Sequence, residues 1–356
     1  MSGFWSGRRV LVTGHTGFKG SWLSLWLRTM GAHVEGLALA PPTHPSLHVE
    51  LGAGRADDQS VDIRDMLAVQ NRVLKADPEI VFHLAAQPLV RAGYRDPAAT
   101  FAINAQGTAN ILEALRLAPG LSTIVVVTTD KVYENDETGH AFCEDDPLGG
   151  HDPYSASKAA AEIIAASYRK SFYAGRAIGL ATARAGNVIG GGDWAEDRLI
   201  PDAVRAFSRG QAVQLRRPSA VRPWQHVLES LSGYLLLAER LHDRPALAGA
   251  YNFGPDHHAA RSVGDVLAMS VQALGFGEID QALESEGPHE AGYLMLDSTK
   301  ARRQLGFAPR FTLEETIRRT WEWYGGFLSG RRAIDLCMAD LDAFSARGQE
   351  PRSALA

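Results

Sequence analysis

The sequence predicts an α/β fold, a Rossmann-type doubly wound parallel sheet with a smaller, mainly C-terminal lobe. Two observations lead to this prediction. Short, continuously apolar segments alternate with amphipathic helical patterns through the first half of the chain, as in a parallel sheet covered on both faces. In addition, a glycine-rich turn joins the first apolar segment to the first helical pattern.

The predicted elements follow from the spacing of apolar residues. β-Branched, apolar runs predict strands, and a helical period predicts helices. The predicted strands are residues 9–13, 33–37, 80–84 and 124–127. The predicted helices are residues 21–30, 63–76, 100–117, 154–173 and 201–209. From about residue 187 onward the pattern becomes less regular, which indicates a separate lobe.

Composition and charge exclude several classes of protein. The chain of 356 residues is 45% apolar and 22% charged, which is ordinary for a globular protein. The net charge of −5 and the scattered Lys and Arg argue against a nucleic-acid partner, and no apolar stretch is long enough to span a membrane. The two cysteines have no metal or disulfide spacing, and no signal-peptide pattern precedes the first strand. We therefore expect a cytoplasmic protein without a metal site.

The glycine-rich turn has the spacing Gly-x-x-Gly-x-x-Gly and lies between a strand and a helix. Gly14 permits the tight turn, Gly17 lets the backbone approach a pyrophosphate, and Gly20 allows the helix to pack closely on the strand. The helix N-terminus adds unpaired N–H groups and a partial positive charge. We expect a dinucleotide here, bound by Gly14, Thr16, Gly17, Phe18, Lys19 and Gly20.

Tyr154 and Lys158 are four residues apart at the start of a predicted helix, so their side chains share one face. A phenol has a pKa of about 10 and is a poor base at neutral pH. A nearby ammonium favours the phenolate and lowers that pKa. We predict that Tyr154 removes a hydroxyl proton while hydride leaves for a nicotinamide dinucleotide.

The long glycine spacing and the Tyr-x-x-x-Lys helix together resemble the extended branch of the short-chain dehydrogenase/reductase superfamily. The resemblance implies that Thr129 binds the reacting oxygen. It also implies that a third strand ends at Asp62 and Ile63, which bind the adenine, and that a fourth ends beside the cofactor at Leu84, Ala85, Ala86 and Gln87. No acidic residue or arginine cluster follows the second strand, and we favour NAD over NADP.

Asp130 and Lys131 follow Thr129 at the end of an apolar strand, where two charges are expensive without a use. A solvated strand-end turn is the alternative interpretation. In the superfamily's sugar-nucleotide 4,6-dehydratases, Asp and an ionisable residue follow this hydroxyl, whereas epimerases have small or uncharged residues. Lys131 replaces the more usual Glu, a departure that resembles the CDP-glucose branch of the dehydratases.

Residues 15–22, 184–194 and 222–227 resemble the same branch, and the resemblance spans residues 8 to about 325. It implies an NAD-dependent lyase that makes CDP-4-dehydro-6-deoxy-D-glucose for deoxysugar and lipopolysaccharide synthesis. Tyr154 would serve the C4 oxidation. Neutral Lys131 would take the C5 proton, protonated Asp130 would protonate the leaving C6 hydroxyl, and the hydride would return to C6.

Other functions remain open at this point. They are a 4,6-dehydratase for dTDP-glucose or GDP-mannose, a UDP-sugar 4-epimerase, and a non-catalytic NAD-binding regulator. Tyr and Lys are both present, whereas such regulators often lack one of them. No local sequence pattern identifies the nucleotide base.

Arginine provides forked contacts to a pyrophosphate, which predicts substrate-binding residues in the lobe. We predict that the substrate is bound by Arg216, Arg222 and Asn187. Arg222 and Asn187 match positions that contact the substrate in the family. Arg205 and Arg217 are expected to be surface charges. His226 is interpreted equally well as a ligand or as a helix-start residue. Trp321, Trp323 and Tyr324 are expected to pack in the core.

We predict an NAD-binding domain from residues 1–186 plus about 222–255, and a substrate-binding lobe from 187–221 and 256–345. The polar residues 346–356 are expected to form a flexible tail. Residues 100–117 and 154–173 match the helices of the superfamily's dimer core. Alanines suited to close packing are Ala159, Ala160, Ala165 and Ala166, and a homodimer is expected.

Overall fold

The computed structural model describes residues 3–52, 60–256, 260–280 and 289–348. The strands in these ranges are β1 (Arg9–Thr13), β2 (His33–Leu37), β3 (Ile80–His83), β4 (Thr123–Val127), β5 (Ala141–Phe142), β6 (Gly179–Ala185), β7 (Val188–Ile189), β8 (Val213–Gln214), β9 (Val221–Arg222), β10 (Gln225–His226), β11 (Ala250–Phe253), β12 (Arg261–Ser262), β13 (Ile279–Asp280) and β14 (Met295–Leu296).

The α-helices in the same ranges are α1 (Phe18–Thr29), α2 (Leu47–Glu50), α3 (Met66–Ala76), α4 (Val90–Arg95), α5 (Pro97–Phe101), α6 (Gly107–Leu115), α7 (Pro153–Tyr168), α8 (Leu199–Phe207), α9 (Val227–Asp243), α10 (Val263–Leu274), α11 (Thr299–Leu305), α12 (Leu313–Leu328) and α13 (Ala333–Arg347). None of the helices in the described ranges is long and apolar enough to cross a membrane.

A parallel sheet of six strands, in the order β11-β6-β4-β3-β1-β2, forms the centre of the molecule. The chain leaves β1 toward β2 and returns to β3 on the other side of β1. A crevice therefore opens at the carboxyl ends of β1 and β3, where ligands of such sheets bind. The predicted doubly wound fold is confirmed.

Alternation along the strands divides the core into two layers. Val10 and Val12 of β1 belong to the hydrophobic cluster that includes Trp22 of α1, whereas Leu11 belongs to the cluster that includes Ile111 of α6. The two faces of the sheet are therefore both covered, which explains why its strands are continuously apolar.

The predicted strand ending at Asp62 is wrong. Val61 and Asp62 lie outside any strand, and the Val61 N–H donates one hydrogen bond to the Ala38 carbonyl beyond the end of β2. Conversely, no bounds were predicted for β6 or β11, and the small residues of β6 give little apolar signal.

The predicted helix at 100–117 consists of three segments. Between α5 and α6, residues Ala102–Gln106 form a π-helical turn. Its Asn104 is buried and donates to the Gln87 carbonyl and to Ser157 Oγ. A second π-helical turn, Arg169–Tyr173, continues α7 over the predicted length of the helix. Such turns are frequent near functional sites.

The lobe follows β6 and consists of short strand pairs and the helices α8, α10, α12 and α13. The long helix α9 lies between lobe and sheet and packs on β4 and β6. Of the predicted tail, residues 349–356 lie outside the described residues, and α13 extends to Arg347.

Candidate active site

A cavity of about 1120 Å³ opens at the carboxyl ends of the central strands, between the sheet and the lobe. Its walls include the glycine-rich turn, the ends of β3 and β4, the start of α7 and the lobe segments around α8. Most of the predicted site residues line this one cavity. The exception is Gln87, whose side chain instead bonds Thr100 and the Leu89 backbone.

Close backbone contacts explain the glycines of the turn. Gly14 has a φ of +71°, and a Cβ there would lie 2.7 Å from the Ala85 nitrogen. A Cβ on Gly20 would lie 2.1 Å from the Gly14 carbonyl oxygen. Gly17 is the N-cap of α1 and provides no side-chain cap, so the first N–H groups of the helix face the cavity with their positive dipole.

The wall beyond β2 is uncharged. Leu39, Ala40, Pro42 and Thr43 line the cavity there, and Thr16 Oγ1 donates to the Leu39 carbonyl at 3.0 Å. Asp62, which also lines the cavity, forms a forked ion pair with Arg64 at 2.6 Å.

Tyr154 and Lys158 lie in the first turns of α7 and line the cavity. Asp152 caps α7 by accepting from the Tyr154 and Ser155 N–H groups. Lys158 Nζ donates to the Val127 carbonyl at 2.9 Å, next to the cavity. Burial lowers the pKa of Lys158 to about 8, and the charge of Glu162 opposes this shift.

The pKa of Tyr154 corrects one expectation. Burial raises the pKa of the phenol to about 12, and its hydrogen bond with Thr129 and the charge of Arg198 only partly oppose the shift. A lowering of this pKa by a nearby ammonium was expected; the cation that lowers it here is Arg198, and burial outweighs that effect because it disfavours the phenolate.

Asp130 and Lys131 occupy a single 3₁₀ turn directly after β4. Asp130 is 1% exposed, and its Oδ1 accepts from Thr129 Oγ1 at 3.0 Å and lies 3.6 Å from Lys131 Nζ. Its other oxygen, Oδ2, is buried without a hydrogen-bond partner among the described residues. These two side chains line the cavity beside Tyr154, so the alternative of a solvated turn does not hold for Asp130.

Lys19 is a third ionisable group at this end of the cavity. Its Nζ donates to the Tyr234 hydroxyl at 3.2 Å. Burial lowers its pKa to about 7, with the charge of Arg198 acting in the same direction and that of Asp130 opposing it.

Glu162 is a buried carboxylate of this site that was not predicted. It lies one helical turn after Lys158. Its oxygens accept hydrogen bonds from Thr128 Oγ1, from Thr182 Oγ1, and from Nε and Nη2 of Arg184. The ion pair with Arg184 is 2.9 Å long, and both side chains are nearly inaccessible. The four-residue spacing from Tyr154 to Lys158 to Glu162 was the available signal.

The predicted substrate residues Asn187, Arg216 and Arg222 all line the cavity. Arg222 is 4% exposed and donates to the Val221 and Ala291 carbonyls. Arg205 and Arg217, expected to be plain surface charges, also line the cavity.

Arg198 is a further cavity residue that was not predicted. It precedes α8 and forms a 2.7 Å ion pair with Asp193. No motif marks it, because its position depends on the loop between β7 and α8. His226 caps α9 and is fully buried, which favours the helix-start interpretation. The aromatic residues near the C-terminus are buried, as expected: Trp321, Trp323 and Tyr324.

The parallel sheet and the glycine-rich turn after its first strand define a Rossmann-type α/β protein. Within that class, the chain belongs to the family described as GDP-mannose 4,6 dehydratase, whose model matches residues 11–320.

Several known proteins are similar along most of their length. A CDP-glucose 4,6-dehydratase of Salmonella typhimurium is 47% identical, over 92% of this chain and 93% of the relative. A dTDP-glucose 4,6-dehydratase of Streptomyces griseus is 30% identical, over 88% and 93%.

Solved structures share the fold. The UDP-glucose 4-epimerase of Thermus thermophilus, in complex with NAD, has a TM-score of 0.74 and 27% identity, over 89% of this chain and 99% of its own. The dTDP-glucose 4,6-dehydratase DesIV of Streptomyces venezuelae, with NAD and TYD bound, has a TM-score of 0.76 and 24% identity, over 92% and 99%.

Proposed function

We propose that this chain is an NAD-dependent CDP-glucose 4,6-dehydratase, which converts CDP-glucose into CDP-4-dehydro-6-deoxy-D-glucose and water. The observation that carries the proposal is the pair Asp130 and Lys131 beside Tyr154 in one cavity. An enzyme that only transfers hydrogen has no use for a buried carboxylate and an ammonium at this point. The relative that is 47% identical supports CDP-glucose as the substrate.

The residues of the glycine-rich turn fit NAD. The cradle at Gly14 and Gly20 leaves no room for a Cβ, and the free N-terminus of α1 favours a diphosphate. Asp62 and Ile63 would hold the adenine, and the uncharged wall at Leu39 suits a ribose without a 2′-phosphate. NAD held there would supply the acceptor for the C4 hydride and the donor of that hydride to C6.

The proton chemistry at C4 is assigned to Tyr154. Its phenolate oxygen accepts the proton of the C4 hydroxyl. The Thr129 hydroxyl, which is hydrogen-bonded to the Tyr154 oxygen, would hold the C4 oxygen beside it. The nearby Lys158 cation stabilises the phenolate, and the Val127 carbonyl fixes its ammonium in place.

The loss of water is assigned to Asp130 and Lys131. A proton that passes from the Lys131 ammonium to the Asp130 carboxylate, 3.6 Å away, gives the neutral amine and the carboxylic acid that these roles require. Once C4 is a ketone, the C5 proton is acidic, and the Lys131 amine takes it. The Asp130 acid gives a proton to the C6 hydroxyl, which leaves as water, and the Lys131 ammonium returns its proton to C5 when hydride adds at C6. The unpartnered Oδ2 of Asp130 supports this role, because a carboxyl oxygen with no partner among the described residues is available to a substrate hydroxyl.

Arg216 and Arg222 would bind the diphosphate of the substrate and Asn187 the sugar end, and Arg198 joins them as a candidate. We also propose the division into an NAD-binding domain and a substrate-binding lobe described above. A cytoplasmic location and a place in deoxysugar and lipopolysaccharide synthesis complete the proposal.

A homodimer through α5, α6 and α7 is the proposed assembly. Phe101 on α5, Ile163 on α7 and Phe172 on the π-helical turn that continues α7 expose 40%, 60% and 40% of their surface. The alanines expected at the interface contribute less, because Ala159 and Ala165 are buried inside the subunit.

The test is a panel of CDP-, dTDP-, UDP- and GDP-hexoses with the purified protein, measured by formation of the 4-keto sugar. We expect CDP-glucose to be dehydrated without net formation of NADH, and an isotope label at C4 to move to C6. Inversion at C4 would identify an epimerase instead. Steady accumulation of NADH with CDP-glucose would refute the dehydratase proposal.

A further inference from the structure

Five charged side chains that alternate in sign line one wall of the cavity. They are Arg91, Asp197, Arg216, Asp202 and Arg205. Asp197 Oδ1 lies 2.5 Å from Arg216 Nη1 and 3.8 Å from Arg91 Nη1. Asp202 continues the series, with Oδ2 at 3.8 Å from Arg216 Nη2 and Oδ1 bonded to Arg205. These three arginines and two aspartates together carry one net positive charge.

Asp197 joins the two halves of the molecule. Arg91 lies on α4, which follows β3 of the central sheet, whereas Asp197 and Arg216 belong to the lobe. One carboxylate oxygen therefore serves an arginine from each half. Arg91 Nε is buried and has no hydrogen-bond partner in the described part of the chain, so this guanidinium has donor capacity left.

The backbone holds Asp197 in an unfavourable conformation. Its φ is +62°, in the left-handed region that residues with a Cβ rarely adopt and that Asp and Asn tolerate best. Conformations of this kind persist where the surrounding structure imposes them, commonly at functional sites. The position of this carboxylate is thus determined by the loop before α8.

The ion pair between Asp197 and Arg216 is exposed enough for another anion to replace the carboxylate. The side chains of Asp197 and Arg216 are 26% and 36% exposed, whereas those of Glu162 and Arg184 are 3% and 4% exposed. Partly solvated pairs are weak. Carboxylate and phosphate are the two anions that the guanidinium fork binds in the same geometry.

We propose that Asp197 is an internal competitor of the substrate diphosphate for Arg216 and Arg91. The inference rests on the proposed function in one respect, that the substrate is a nucleoside diphosphate derivative. The diphosphate displaces the Asp197 carboxylate from the arginines when the nucleotide binds. The ion pairs of Asp197 with the arginines form again when the nucleotide dissociates. The nucleotide is consequently held more weakly than these arginines alone would hold it.

The test is the affinity of Asp197→Asn for CDP, measured by isothermal titration calorimetry on the NAD-loaded protein. Asn keeps the size of the side chain and tolerates the left-handed backbone, but it carries no charge. We expect CDP to bind about fivefold more tightly, the effect of removing one partly screened ion pair. Unchanged or weaker binding by a folded variant would overturn the inference.

Glu196→Gln is the matched control. Glu196 is the preceding residue, lines the same cavity and carries the same charge. We expect its replacement to change CDP affinity by less than about twofold, because a general change of charge is screened by salt. An equal gain in CDP affinity in both variants would show that the net charge of the cavity causes the effect, and it would overturn the inference that Asp197 competes with the diphosphate.

A second background tests whether Asp197 acts through the arginine. In Arg216→Gln, binding of CDP should weaken, and adding Asp197→Asn should restore little of it. A full gain in that background would contradict the inference.

The proposed function fails separately from the inference. The binding experiment is also run with dTDP, UDP and GDP. If the wild type binds one of these instead of CDP, the variants are compared with that nucleotide, and only the proposed base is wrong. If the wild type dehydrates CDP-glucose and Asp197→Asn does not tighten binding, only the inference fails. If the wild type binds none of the four nucleotides, both fail.

Discussion

Tyr154, Thr129 and Asp130 share one hydrogen-bonded corner of the cavity, and burial governs the acidity of the groups around it. Burial raises the pKa of Tyr154 to about 12 and lowers that of Lys158 to about 8. Both shifts favour the neutral forms. The oxidation therefore depends on cations close to the phenol, and the charge of Arg198 is one of those that lower its pKa.

At this scale we predict that oxidation and water loss can be separated. Asp130→Asn removes the acid for the C6 hydroxyl but leaves Tyr154 and Lys158 in place. Product formation should fall by about 10²- to 10⁴-fold, while reduced nicotinamide still forms with CDP-glucose in a single turnover. Rapid-quench product analysis and nicotinamide absorbance measure the two steps.

Tyr154→Phe is the control for that experiment. It lacks the base for the C4 hydroxyl, so it should form neither reduced nicotinamide nor product and should still bind NAD. If Asp130→Asn formed product at the wild-type rate, Asp130 would not be the acid that protonates the C6 hydroxyl.

The element that organises the site is α7. Its N-terminus is capped by Asp152, and its middle is tied to two strands through Glu162, which bonds Thr128 at the end of β4 and Thr182 and Arg184 on β6. The helix thereby holds Lys158 against Val127, two residues before Thr129. Glu162 also supports the charge of Lys158 electrostatically.

We predict that Glu162→Gln lowers the free energy of unfolding by about 3 kcal/mol, because it leaves the Arg184 charge buried without its partner. Thr182→Val is the control. It removes one hydrogen bond to the same carboxylate and should cost about 1 kcal/mol. Urea denaturation measures both. Equal and small losses would show that the ion pair adds little to the attachment of α7.

On the scale of the whole molecule, α9 connects the sheet to the lobe. It packs on β4 and β6, and Glu229 near its start accepts the N–H groups of Arg310 and Phe311, just before α12. One oxygen, Glu229 Oε2, is buried without a partner among the described residues. Burial raises the pKa of Glu229 from 4.5 to about 7.

This pKa predicts that Glu229 makes stability depend on pH. Above the ordinary glutamate pKa of 4.5 the unfolded chain ionises Glu229, whereas the folded chain keeps the proton until about pH 7. Stability is therefore lost as pH rises through this interval and stays lower above it. Glu229→Gln cannot ionise and should be more stable than the wild type by about 2 kcal/mol near pH 8.

The gain should vanish below the ordinary pKa of a glutamate, which urea denaturation at about pH 4 and about pH 8 would show. Asp340, whose pKa burial raises to about 6, adds to the same trend in both proteins, so their difference reports Glu229. Glu278→Gln, at an exposed position, is the control and should give no gain. A variant no more stable than the wild type near pH 8 would contradict the prediction.

The sequence by itself determined strands β1 to β4 of the central sheet, the turn at Gly14 and the side-by-side placement of Tyr154 and Lys158. Each depends on local order: apolar alternation, glycine spacing after a strand, or the four-residue repeat of a helix. The Asp130–Lys131 pair was predictable for the same reason, because its position at a strand end follows from the strand.

Only the tertiary structure decided the rest. A strand needs a neighbouring edge, and Val61 has one hydrogen bond where a strand was expected. Asp197 reaches its arginines through a loop whose path no periodicity describes, and Arg184 meets Glu162 across 22 residues of chain. The pKa values of Tyr154 and Lys158 also belong to this level, because burial is a sum over neighbours that are distant in sequence.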